Sequence, residues 1–215
     1  MPYLFDFSNI LVDNYVAFCL GILFAVTINA EAQAFVAQFL GDVREKDENR
    51  FHFNAFRHLD LPGTASFFIS GFGWPRSVDI DASKFARPMF DTVIIRFAGP
   101  VSNFLLASII SSISLILEQF SIDTQMLQIV VGINLIMAAA NLLPIPPLAA
   151  ASIIGVFIDE KNKAIKKTIW RVGPYVLLLL LIADKANNNI IINRFVMPIV
   201  VPIFTYLTKK ISFGA

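Results

Sequence analysis

The sequence predicts an all-α integral membrane bundle, built as one domain over residues 1–215. Three observations predict it. Hydrophobic residues make up 56% of the chain and charged residues only 15%, well under the roughly 25% charged residues of soluble domains. Several apolar runs are long enough to cross a lipid core of about 30 Å. Basic residues concentrate in alternate connecting segments, with only Lys185 and Arg194 elsewhere.

The elements follow in order. Tyr15 to Leu40 is one apolar stretch whose only charge is Glu31. It stops at Gly41, a helix-ending residue, before the polar run Asp42 to Arg50. Phe51 to Asp60 alternates partly, which predicts a small β-hairpin at the membrane surface. Leu61 to Trp74 is short and carries Gly63, Gly71 and Gly73, which predicts a re-entrant segment covered by protein. Thr92 to Leu117 is the next long stretch. Leu127 to Ile158 is broken by Pro144, Pro146 and Pro147, because three prolines so close together cannot continue a helix. Tyr175 to Ala183 is apolar but short, and Ile190 to Leu207 is a final span. The total is five to six transmembrane helices, one of them broken by prolines.

Of 17 Lys and Arg, eight lie between Arg44 and Arg96 and five between Lys161 and Arg171. By the positive-inside rule, both regions and the C-terminus are expected on the cytoplasmic side of a bacterial-type inner membrane. A net charge of +1 gives no argument for nucleic acid. The one cysteine, Cys19, lies in an apolar run and is expected to be a small buried hydrophobe. The start, MPYLFDFSN, has no basic region and does not read as a cleaved signal.

Several motifs recur in one order. Gly41-Asp42 ends the first long helix. Then come Asn54, His58-Leu59-Asp60 and Pro62-Gly63-Thr64, followed by Gly71-Phe72-Gly73-Trp74. Ala98-Gly99-Pro100-Val101-Ser102-Asn103 opens a span, and Asn141-Leu142-Leu143-Pro144-Ile145-Pro146-Pro147-Leu148 closes another. In this order the set resembles the site-2 proteases, which are intramembrane zinc metalloproteases. The resemblance runs over about residues 15–207.

The resemblance implies an H-E-x-x-H pair of zinc ligands and a general base on the first helix, with an Asp after the prolines. Those positions here hold Asn29, Ala30, Gln33 and Ala149, and the glycines that would follow are Ala150 and Ala151. None supplies a zinc ligand or a base. Glu31, one residue on, points about 100° away on a helix. The only histidines, His52 and His58, fall in the expected hairpin, and no metal-ligand spacing is visible. The expectation is therefore a pseudoenzyme without metal or cofactor, in which Asn29 and Gln33 bond each other or neighbouring helices. Glu31 is expected to be neutralised, or paired with Arg96 or a partner's cation. Glu31, Asn103, Asn141, Pro144 and Pro147 are the candidate residues for a retained cavity or helix-binding groove.

The functional expectation is an accessory subunit packing against transmembrane helices of a larger complex. Its expected partners are other integral membrane proteins and lipid, with no nucleic acid and no small-molecule substrate. Two alternatives stand beside it. One is a regulator or chaperone that captures client transmembrane helices. The other is an intramembrane zinc metalloprotease with an engineered, knocked-out active site. The basic run Lys161 to Arg171 with Trp170 reads as an interfacial segment, able to meet anionic lipid.

Overall fold

The computed structural model describes residues 12–43, 51–158 and 162–209. The N-terminal MPYLFDFSN, residues 44–50 of the polar run, Lys161, Lys210 and the chain's C-terminal end lie outside the described residues. Eight α-helices are present among the described residues: α1 Val12–Phe39, α2 Ala55–His58, α3 Leu61–Ser70, α4 Pro88–Gln119, α5 Gln125–Ala140, α6 Ala151–Phe157, α7 Lys163–Ala186 and α8 Met197–Thr208. A 3-10 turn covers Ala82–Lys84, and a π-turn, Ile192–Val196, leads into α8.

Two helices, α1 and α4, are long and apolar enough to cross a membrane. At 1.5 Å per residue they reach about 40 Å and 50 Å. The apolar helices α5 and Ile192–Thr208 are shorter. α1, α4 and α5 pack on one another as the central unit. Ala17, Phe18, Ile22, Ala25 and Val26 of α1 meet Ile129, Ile133 and Met137 of α5. Gly21 permits that approach, since a side chain there would run into Ile133. α8 and the π-turn pack against α5, while α7 packs against α3. They enclose a second core that includes Phe72, Trp74, Leu135, Leu148, Leu177 and Phe204.

α4 has an inverted pattern. Its buried face carries Asp91, Gly99, Asn103, Ala107, Ser111 and Ser114. Its outward face carries Val101, Leu105, Ile109, Ile113 and Ile116, all well exposed. Small and polar side chains inside with aliphatic ones outside is the arrangement helices adopt when the surroundings are lipid. In water the same helix would leave a large apolar patch uncovered.

The expected hairpin is corrected. No strand is present among the described residues, and Phe51 to Asp60 contains the single-turn helix α2. The cause is Asn54, whose side-chain oxygen accepts from the Phe56 N–H and starts a helical turn. The sole isolated β-bridge recorded there joins Leu59 to Pro75. The Leu61 to Trp74 segment is also more regular than expected. Asp60 caps α3 at the Gly63 N–H, Pro62 sits in the first turn, and Gly71 ends the helix in the left-handed region at φ 81°.

Asp60 does a second job. Its Oδ2 accepts from Gly63 N at 3.0 Å and from Trp74 Nε1 at 2.9 Å. The chain thereby folds back on α3, with Gly63 and Gly73 at the crossing where no Cβ fits. Asp60→Ala removes both bonds and is expected to cost about 2 kcal/mol, the sum of a cap and a side-chain bond to a charged group. Denaturant unfolding in detergent checks this, and a change under about 0.5 kcal/mol would contradict it.

Candidate metal centre

Glu31 lies on the buried face of α1. Residues 51–54, which form no regular element, lie across this face. The backbone N–H groups of His52 and Phe53 donate to Glu31 Oε1 at 3.3 and 2.9 Å. Phe53 takes φ 44°, in the left-handed region. The Asn54 N–H donates to His52 Nδ1 at 3.1 Å and fixes that ring. α2 then delivers His58, whose Nε2 lies 3.0 Å from Glu31 Oε1. Its backbone oxygen accepts from Arg76 N at 2.7 Å, which anchors α2 to the segment after Trp74.

The two imidazoles stack, with centroids 4.5 Å apart and planes 24° from parallel. His52 Nδ1 is 3.6 Å from Glu31 Oε1. Burial pushes the His58 ring below its ordinary pKa, partly opposed by the Glu31 carboxylate, so the neutral ring is favoured. One ligand atom from each of Glu31, His52 and His58 lies within 4.8 Å of the others. Glu31 Oε2 is buried and has no hydrogen-bond partner. A buried carboxylate oxygen without a donor is costly, and a cation would satisfy it. Two histidines and a glutamate form a ligand set used by hydrolytic zinc sites, which leave a further position open for water. The residues present therefore fit a divalent metal.

The positions implied by the resemblance do not fit one. Asn29 donates to Asn103 Oδ1 at 2.6 Å and accepts from Gln33 Nε2 at 2.8 Å. Gln33 in turn accepts from Arg96 Nη1 at 2.8 Å. Asn103 passes its own N–H groups to Ala25 O and Asn134 Oδ1, and Asn134 donates to Val130 O. This row of side chains crosses from α4 to α1, back to α4 and on to α5. Ala30 and Ala149 are buried, and their side chains carry no ligand atom. Gly99 gives the row its room, because any side chain there would strike the Asn29 amide.

The other expected site residues are dispersed. Asn141 staples the proline turn to α5, with Nδ2 donating to Met137 O at 2.8 Å and Oδ1 accepting from Ala149 N at 3.1 Å. Pro144 and Pro147 lie in that turn, and Gly173 of α7 packs against the neighbouring Pro146. A groove of about 230 Å³ between α4, α5 and α8 is lined by Pro100, Phe104, Leu142 and Val200, among others. Asn103, Asn141, Pro144 and Pro147 do not line it. The expected Glu31–Arg96 pair is corrected: Arg96 bonds Gln33 and, at 3.1 Å, Val78 O, while Glu31 meets the histidines. His52 and His58 were missed as partners because they lie 21 and 27 residues from Glu31. A lone carboxylate in an apolar stretch, in a chain with only two histidines, was the available signal.

No family model matches the chain, and no solved structure matches it. Over 170 residues, 75% of this chain and 78% of the relative, it is 29% identical to a Bacillus subtilis protein described as "Putative zinc metalloprotease YwhC". The expectation of a non-enzyme without a metal-ligating set is corrected on two grounds. This similarity points to protease activity, and Glu31, His52 and His58 converge as a metal-ligating set. The chain is thus similar to a protein described as a zinc metalloprotease, and that similarity points to the site-2 protease family.

Proposed function

We propose that this chain is a membrane-embedded, metal-dependent peptidase of the site-2 protease type, with its metal held by Glu31, His52 and His58. The observation that carries the reading is the convergence of these three side chains around a buried carboxylate oxygen that lacks a partner. A divalent metal held by Glu31, His52 and His58 would supply Lewis acidity there. The protein's own part is positional. Backbone N–H groups of residues 52 and 53 orient the Glu31 carboxylate. The Phe35 and Phe51 rings, 6.4 Å apart, stand on the approach from residues 51–54 to α1.

The outward aliphatic face of α4 supports membrane embedding with α1 and α4 as spans. The shorter helices and α7 complete a multi-pass topology, with the basic segments and C-terminus cytoplasmic. The substrate class is a transmembrane helix or its unwound end, received from the lipid phase.

The test uses the full chain purified in mild detergent and loaded with zinc. Expected are stoichiometric zinc by mass spectrometry and chelator-sensitive cleavage of a synthetic transmembrane peptide. Absence of bound zinc after loading would sink the reading. A variant carrying Asn29→His, Ala30→Glu, Gln33→His and Ala149→Asp addresses the engineered alternative. If only that variant binds zinc and cleaves, the metal belongs at those four positions and the Glu31 assignment fails.

A further inference from the structure

A cavity of about 300 Å³ opens between the start of α4, α6, α7 and the segment before α4. It shares no residue with the candidate metal centre. Ile80, Met89, Thr92 and Trp170 supply much of its apolar wall, and Arg96 and Lys166 supply cationic groups. Lys166 Nζ donates to Gly155 O at 3.0 Å. An ammonium has three N–H donors, so two remain for a ligand. Among the described residues, Lys166 is in no ion pair with a carboxylate. Arg96 is held at the cavity edge by Gln33 and the Val78 carbonyl, and the charge of Asp79 acts on it. The cavity lies at the first turns of α4 and α7, next in sequence to Lys84 and Arg87 and to Lys167 and Arg171. An apolar pocket with two cations at its rim is complementary to one chemistry.

We propose that this cavity binds the anionic head of an amphiphile, a phosphate or carboxylate carried on an apolar chain. The chain lies against Ile80, Met89 and Trp170, and the head sits between Lys166 and Arg96. A membrane phospholipid and free phosphate share the head chemistry, but only the lipid uses the apolar wall.

Native mass spectrometry of the full chain, released from bilayers of equal phosphatidylglycerol and phosphatidylcholine, tests this. One phosphatidylglycerol is expected to stay bound. Lys166→Gln should weaken its retention about tenfold, the scale of one bond between charged groups. Thr92→Phe, which fills the cavity from the α4 surface, should abolish retention while leaving the fold intact by circular dichroism. Stabilisation by inorganic phosphate alone, lost in Lys166→Gln, would support the anion site and assign it to a free anion. Retention unchanged in both variants, or no preference for the anionic lipid together with no response to phosphate, would overturn the proposal. Glu31→Gln should retain the lipid normally, so failure of the metal assignment and failure of this one are read separately.

Discussion

Glu31→Gln will leave the protein folded and cost it the metal. The amide oxygen still accepts the Phe53 N–H that binds Glu31 Oε1 at 2.9 Å, so the segment over α1 keeps its anchor. The negative charge is gone, and with it the only anionic ligand of the set. Outer-shell changes at metal sites already cost 10- to 100-fold in affinity, so loss of this ligand is expected to cost at least about a hundredfold. His58→Ala should act in the same direction. Zinc titration in detergent with a competing chelator measures it directly. Thermal unfolding gives a second readout. Zinc at about a hundred times its dissociation constant should stabilise the wild type by roughly 2.7 kcal/mol and the variant hardly at all. Equal zinc affinity in the two proteins would remove Glu31, His52 and His58 from the chemistry.

The second large effect is expected at Asn103. Its side chain accepts from Asn29 and donates to Ala25 O and Asn134 Oδ1. Asn103→Leu keeps the branching of the side chain and removes all three bonds at the junction of α1, α4 and α5. Interhelical hydrogen bonds in membranes average about 0.6 kcal/mol and reach about 1.7, so the loss should total roughly 2–4 kcal/mol. Denaturant unfolding in detergent measures it, and a double-mutant cycle with Asn134→Leu should show coupling. Zinc affinity should change little, because Glu31 and its histidines lie outside this row. A loss below about 0.5 kcal/mol would mean that the amides are incidental to helix packing.

How far the sequence could be read depended on the range of the interactions. The two long helices were legible because an apolar run of that length with a single charge has few other uses. The proline break was legible because Pro144, Pro146 and Pro147 act on their own backbone. The hairpin was misread because partial alternation over ten residues is a weak signal, and the Asn54 cap overrode it. The Asn29–Gln33 bond followed from i, i+4 spacing, but its extension through Asn103 to Asn134 crosses three helices. Of the candidate metal centre only Glu31 was legible, as a lone carboxylate in an apolar stretch. The centre depends on the chain returning over α1, which no local spacing encodes.

The buried amide row has a sense of direction. Arginine can only donate, so Arg96 fixes the Gln33 oxygen toward itself. Gln33 must then offer its nitrogen to Asn29, Asn29 to Asn103, and Asn103 to Asn134, whose own N–H donates to the Val130 carbonyl. Reversing one amide would oppose donor to donor on one side and acceptor to acceptor on the other. The row therefore behaves as a single polarised wire, with every dipole aligned by one cation at its end. Aligned hydrogen bonds strengthen one another, and this alignment runs from Arg96 on α4 through three helix crossings to Asn134 on α5. The three central helices are thus held in one relative setting by an electrical polarity as well as by shape.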